Sequence, residues 1–298
     1  MIEFKRMKLS DRSLLEQYFK AVGERNNEYC FTAIYTWQES FNTCFAVIND
    51  CLVLKTGNEN VSYSFPVHIN GDESAVMLAM KAMKEQNGEI KINIYNDKVK
   101  EMAERLFPEN CMNIQEKRDS AEYLYNVDDL VNLAGRKYHS KRNHIANFNK
   151  SFDWTYEQIN NENINDCIEM NKIWCAENNC ETDKSANREK CALDKCFEEY
   201  FELKMTGGLL KISGKIAAFT IGEPLYPGAD TFVVHFEKAL SEYKGAYAVI
   251  NQQFAINGIA KSEYLYINRE DDAGVEGLRK AKLSYNPAML VNKYRIVV

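Results

Sequence analysis

Residues 267–294 read INREDDAGVEGLRKAKLSYNPAMLVNKY, and their order decides the fold. The EYLYIN that leads into them alternates as a strand, because side chains two apart share a face. It runs into an acidic turn, Glu270, Asp271 and Asp272. A short basic helix follows, with Arg279, Lys280 and Lys282. Tyr285 closes that helix. Pro287 stops it, since proline has no N–H to continue the ladder. A last strand ends the stretch.

The whole chain has 298 residues, which suits two domains of about 130–160 residues better than one. Hydrophobic residues make up 45% and charged residues 27%, the balance of a globular protein in water. The net charge of −6 excludes a general nucleic-acid coat, so RNA would have to meet a local basic patch. No apolar run reaches the roughly 18 residues that span a bilayer. The N-terminus, MIEFKRMKLSDRSLLEQYF, scatters charge through its apolar positions and does not read as a signal peptide. The expected location is cytoplasmic, with any membrane contact made as a visitor or through a partner. Nine cysteines are an odd count, and Cys167, Cys175, Cys180, Cys191 and Cys196 lack the C-x2-C pairs of a zinc site. Reduced, mostly buried thiols and no metal are expected.

Periodicity sets out the remaining elements. Residues 1–8 alternate as a strand, and Ser10 reads as the cap of a helix through about Val22. Aromatic residues crowd 28–42. Two strands turn at Asn49-Asp50, and VSYSFPVHI adds another. Helices are expected at 72–86 and 97–107, with the strand IKINIYN between them and Pro108 as a stop. AEYLYNVDDL is a strand. After it come the strand WTYEQI, helices at 164–178 and 187–205, and a hairpin turning at Ser213-Gly214. The strand DTFVVHFEKA, a helix at 245–261, EYLYIN and a helix at 274–284 complete the series. Both halves follow one order, with antiparallel meanders in each, so two α/β units fit better than one doubly wound sheet.

The tail resembles the end of an acyltransferase domain of the GNAT superfamily, and closely that of the synthase domain of phosphatidylglycerol lysyltransferases. The resemblance covers the second half, from about 130 onward, and the first half by element order. It implies an α+β chain built as a tandem of two GNAT-like units with mostly antiparallel central sheets, as in the Fem peptidyltransferases. The expected units are 1–130 and 131–298. The implied activity moves an acyl or aminoacyl group from acyl-CoA or aminoacyl-tRNA to an amine or hydroxyl. Acceptors would be a small molecule, a peptide or a lipid headgroup. The flippase half of a full lysyltransferase is not among these residues, so phosphatidylglycerol is not carried over. The alternative is a binding module that keeps the fold without the chemistry.

Three segments hold the candidate chemistry. The first, SEYKGAY at 241–247, lies between a strand and a helix. Free N–H groups and partial positive charge gather at such a helix start. GNAT domains bind the acyl-CoA pyrophosphate here, which assigns Lys244, Gly245, Ala246 and Tyr247 to the cofactor. Glu242 and Tyr247 depart from that pattern, and an ordinary strand-to-helix turn remains the alternative.

The second segment, 134–150, carries Arg136, Lys137, Lys141, Arg142 and Lys150 without an acid. It is expected either to face the cleft between the units and hold an anionic ligand or to be a solvated helix face. His139 and His144 are five apart and make a poor metal pair.

The third is the tail itself. The resemblance places Arg279 and Lys282 against the donor and Tyr285 as the acid for the leaving group. A helix-end core aromatic is the other reading of Tyr285. His235 and Glu237, two apart on one strand, are expected on one face as base or substrate clamp. No nucleophilic triad is needed, because alignment and an oxyanion donor carry such a transfer.

Overall fold

The computed structural model describes residues 1–260 and 262–298. The first helix, α1 (Arg12–Val22), buries Leu15, Tyr18, Phe19 and Val22 and ends at Gly23 with φ 69°. Two short helices, α2 (Phe31–Thr36) and α3 (Gln38–Phe41), hold the aromatic stretch. Strands β1 (Cys44–Ile48) and β2 (Cys51–Thr56) form a hairpin. Its turn, Asn49 and Asp50, has φ of 47° and 59°, the left-handed geometry a two-residue hairpin requires. β3 (Ser62–Ser64) and β4 (Val67–His68) precede α4 (Glu73–Asn87), whose first turn is capped by the Asp72 carboxylate. β5 (Lys91–Ile94), α5 (Asp97–Leu106), α6 (Pro108–Cys111) and β6 (Gln115–Glu116) follow. Pro108 starts a helix here as well as ending one, since a first helical residue needs no N–H partner. Residues 1–8, expected as a strand, make one bridge, Lys5 to Phe45.

The chain continues through β7 (Glu122–Asn126), α7 (Val127–Asn132), α8 (His139–Ser151), β8 (Trp154–Gln158), α9 (Ile164–Glu177) and α10 (Lys184–Glu198). β9 (Thr206–Ile212) and β10 (Lys215–Pro224) turn at Ser213-Gly214, as the sequence reads. β11 (Thr231–Ala239), α11 (Ala246–Phe254), β12 (Tyr266–Asn268), α12 (Glu276–Leu283), β13 (Met289–Val291) and β14 (Tyr294–Val297) complete it. A disulfide joins Cys175, in the last turn of α9, to Cys180 just beyond it, which corrects the expectation that every thiol is free. The two lie five residues apart with Cα atoms at 5.0 Å, within reach of one bond.

Two sheets result. The first runs β1-β2-β3-β5-β14-β6, with β4 also on β2, and the second runs β13-β7-β12-β11-β10-β9-β8. Among the named pairings only β3–β5 and β11–β12 are parallel. This is the tandem of two GNAT-like α+β units with mostly antiparallel sheets.

The sheets do not follow a single cut in the chain. β7 lies before residue 131 yet belongs to the second sheet, and β14 ends the chain yet belongs to the first. One strand from each side therefore crosses the expected boundary at 130/131. Backbone pairing, not sequence order, assigns each strand, and the two halves exchange one strand each. They also share one apolar core, in which Phe31, Leu54 and Ile94 belong to the same cluster as Leu193, Phe219 and Phe236. Arg25 pairs with Asp230 at 2.6 Å and Arg12 with Glu223 at 2.7 Å across the seam. Among the described residues no helix is long and apolar enough to cross a membrane.

The second sheet has helices on both faces. Residues of α9 and α10 and the first unit's residues cover one face, in a shared core. Residues of α7, α8 and α11 cover the other.

Interlocked strands and a common core should unfold together. Ile296, buried in β14, is flanked by β5 and β6. Ile296→Ala is expected to lose about 2–5 kcal/mol. Chemical denaturation followed by tyrosine and tryptophan fluorescence should still show one transition. Two separated transitions would count against the interlock.

Candidate active site

β11 and β12 run parallel over three residue pairs, Thr231–Val233 against Tyr266–Asn268, and then part. The register of β11 against β10 slips at this place: Ile221 faces Phe236, Gly222 faces Val234, and His235 is left as the extra residue of a bulge. His235 and Glu237 therefore do not share a face, contrary to simple alternation. His235 points to the first unit, with Nε2 3.7 Å from Cys30 Sγ and 3.5 Å from Glu223 Oε1. Glu237 points to α11, where Asn251 donates to it at 3.3 Å. The consecutive residues Arg269 and Glu270 fill the fork. Arg269 donates to Glu237 at 2.8 Å on one face, and Glu270 meets His235 Nδ1 at 2.8 Å on the other. Burial disfavours a charged imidazole, but Cys30, Glu223 and Glu270 outweigh it and raise the His235 pKa.

The acidic turn is held by the basic helix after it. Asp272 is fully buried and takes Arg279 Nε and Nη2 at 2.8 Å each, the Tyr123 hydroxyl at 2.5 Å and the Gly274 amide at 2.9 Å. Arg118 stands at 3.4 Å. The bidentate Arg279 contact, backed by Tyr123, keeps this carboxyl well below its ordinary range, although burial opposes it. Lys282 is buried and donates to the carbonyls of Arg269, at 2.6 Å, and Asp271. Burial lowers its pKa to about 8. Arg279 and Lys282 share one side of α12, as their spacing implies, but that side grips the turn. Both cations are already spent on partners inside the chain.

Glu270 and Asp271, so held, line a cavity of about 660 Å³ between the two units. Glu28, Asn93, Tyr95, Trp37 and Lys293 line it too. Lys293 sits between β13 and β14, where the chain passes from the second sheet to the first. Its ammonium lies 2.5 Å from Glu28 and 2.6 Å from Glu122. Glu122 opens β7, where the chain passes the other way. Lys293 is 4% exposed and stays protonated, because the two carboxylates outweigh its burial. Burial pushes Glu28 up to about 8, with Lys293 pulling against it and Glu122 adding to it. Its Oε2 is buried and has no hydrogen-bond partner among the described residues. Burial also raises Asp271.

The other candidate residues lie elsewhere. Tyr285 is buried on the α11 face, edge-on to Tyr125, under Lys141 at 3.8 Å and Arg269 at 4.9 Å from its ring centre. Burial pushes its hydroxyl up to about 12. Gly245 has φ 99°, and a Cβ there would meet the His144 carbonyl at 3.0 Å and Phe148 at 3.3 Å. Its glycine is thus required by backbone geometry and by α8 packing on the start of α11. Ala246 is buried and its amide already bonds Tyr243, while Lys244 is exposed. Tyr247 is exposed, and its hydroxyl accepts from Trp174 at 3.2 Å.

The basic segment does not line the cleft, which corrects that expectation. Arg136 is exposed, Lys137 pairs with Asp129 at 3.4 Å, and Arg142 donates to the carbonyls of Leu133 and Gly135. Lys141 reaches Ser284 at 2.6 Å, and burial lowers its pKa to about 8. These contacts fold the segment onto its own unit, on the far face of the second sheet.

The profile of one protein family, "Phosphatidylglycerol lysyltransferase, C-terminal", matches residues 19–297. The chain belongs to that family. A conserved protein of unknown function from Bacteroides thetaiotaomicron VPI-5482 is 37% identical, covers 100% of each chain and superposes with a TM-score of 0.91. The L-PGS structure from Bacillus licheniformis shares the fold at 13% identity, with 96% and 91% of the chains covered and a TM-score of 0.63. FemX shares it at 10% identity, 100% and 98% coverage and a TM-score of 0.62. A Mycoplasmoides gallisepticum relative is 27% identical over 191 residues, 60% of this chain, and the chain spans only 56% of that protein.

In this member of the lysyltransferase C-terminal family, the charged residues that meet at the cleft wall carry no local signal in the sequence. Glu28, Glu122 and Lys293 are scattered by as many as 265 positions, and no local spacing joins them. The Asp272 anchor is testable. Its pKa is lowered on folding, so its contribution is complete above the ordinary carboxylate range and declines as pH falls from there toward the lower value of the folded chain. Arg279, Arg118 and Tyr123 face the carboxyl, and Asp119 shares Arg279 at 2.7 Å. Asp272→Asn is expected to be less stable than the parent at pH 7 by urea titration. The difference should shrink toward pH 3, and an equal difference at both pH values would remove Asp272 from this role.

Proposed function

We propose that the chain is an aminoacyltransferase working in the cleft between its units. It would move an aminoacyl group from the ester of an aminoacyl-tRNA to the amine or hydroxyl of an acceptor. The observation that carries this reading is the Lys293–Glu28 pair on the wall of the cavity. The family match to a lysyltransferase supports the donor class.

The geometry suits the reaction. Glu270 and Asp271 offer carboxylates for the ammonium of the aminoacyl group. The acceptor's N–H or O–H attacks the ester carbonyl. Lys293, protonated and held by Glu28 and Glu122, brings its positive charge to the cavity wall, where it would stabilise the oxyanion through the field rather than through a free N–H. Glu28 Oε2, free of partners, takes the acceptor's proton. The ester C–O bond breaks, a new amide or ester forms, and the proton ends on the ribose oxygen. The turn expected to hold an acyl-CoA donor is closely packed instead, with α8 against Gly245, and the fork of the sheet is filled by Arg269 and Glu237.

Radiolabelled lysyl-tRNA, with phosphatidylglycerol vesicles or bulk water as acceptor, tests the proposal. Lysine transfer or release should exceed the spontaneous rate. Glu28→Gln should slow it roughly 10²–10⁴-fold, and Lys293→Met by about 10²–10³-fold. Turnover of acetyl-CoA with lysyl-tRNA untouched would reverse the donor assignment. No turnover of either would leave a binding module. Tyr285→Phe alters only the opposite face of the sheet and should leave transfer near the parental rate. A loss of 10² or more would make Tyr285 the acid and move the reaction to that face.

A further inference from the structure

Beside the cleft, behind Glu270, three buried side chains from separate segments converge. Cys30 comes from the start of α2, Glu223 from β10 and His235 from the bulge of β11. Cys30 is 0% and Glu223 1% exposed, and the His235 side chain is 3% exposed. Their donor atoms all lie within 4.8 Å of one another. Sγ stands 3.0 Å from Glu223 Oε1 and 3.7 Å from His235 Nε2, and the latter two are 3.5 Å apart. A tetrahedral zinc-class ion, with bonds of about 2.3 Å to sulfur and about 2.0–2.2 Å to nitrogen and oxygen, sets its ligands about 3.4–3.6 Å apart. Two of the three separations already match, and the third needs a small opening.

The groups behind the three are those a bound cation requires. Glu270 accepts from His235 Nδ1 at 2.8 Å, which directs the Nε2 lone pair at the other two donors. Arg12 holds the remaining oxygen of Glu223 at 2.7 Å and fixes that carboxylate. The charges also balance. A thiolate and two carboxylates oppose one guanidinium and one divalent ion.

We propose that Cys30, Glu223 and His235 bind one zinc-class divalent cation at the seam between the two units. Binding releases the thiol proton and any proton on Nε2. Three protein ligands leave one corner of a tetrahedron for water or a substrate atom. Cys30 belongs to the first unit, and the other two ligands to the second, so the ion ties the units together.

Cobalt(II) is the probe, added to the full chain after chelator treatment. One equivalent should produce a thiolate-to-cobalt charge-transfer band in the near ultraviolet and visible bands of tetrahedral intensity. One equivalent of zinc should abolish both. Cys30→Ser should lose the charge-transfer band, whereas Cys191→Ser, at an exposed thiol, should keep it. Glu270→Gln should keep the band and weaken zinc binding roughly 10–100-fold in competition with a chromophoric chelator. This arm decides the matter if Cys30→Ser fails to fold. A chain that takes up no cobalt, a band that survives Cys30→Ser, or unchanged zinc affinity in Glu270→Gln would each overturn the proposal.

Discussion

One ammonium group stands at the place where the two halves of this molecule become inseparable. The chain crosses between its sheets twice on this side, once entering β7 and once between β13 and β14. Glu122 marks the first crossing and Lys293 the second. A lysine removed from water is unfavourable alone, so the crossing holds only because Glu122 and Glu28 meet it. Asn268 and the Asn27 amide, in turn, hold Glu122 Oε2 at 2.5 and 2.8 Å. The wall of the cavity is thus built from the groups that close the fold, and position and chemistry are hard to separate there.

The parting of β11 and β12 is the second constraint. A fork in a sheet exposes backbone and invites a ligand, and in this chain two neighbouring side chains enter it from one turn. Arg269 and Glu270 reach opposite faces just past the end of β12, where the chain leaves the strand and Glu270 takes a left-handed φ of 58°. Their partners, Glu237 and His235, lie on opposite faces only because a bulge adds one residue between them and the regular ladder. Without that extra residue both would compete for one face. The bulge and the turn are matched across the fork.

Much of the architecture is legible locally. Asn49-Asp50 and Ser213-Gly214 announce their hairpins, because left-handed backbone admits few residues. The tail's strand, acidic turn, basic helix and proline stand in the order the sequence shows. What escapes local reading depends on distant pairing. The alternation at 1–8 looks like a strand but finds one partner bridge. The bulge at His235 follows from the register with β10, which no single strand reveals. Arg279 and Lys282 look available for a ligand until Asp272 and the turn's carbonyls are seen to occupy them. The cleft is the least legible part, since its residues come from Glu28, the acidic turn and Lys293.

The strand exchange also orders events in time. During synthesis the first sheet must wait with a gap between β5 and β6, because the strand that fills it is Tyr294–Val297. Those pairings join residues about 200 positions apart, and such distant contacts are slow to form. The lysine of the cleft emerges immediately before that closing strand. A nascent chain therefore holds neither a finished first sheet nor the ammonium of the cavity until Lys293 and Tyr294–Val297 have been added.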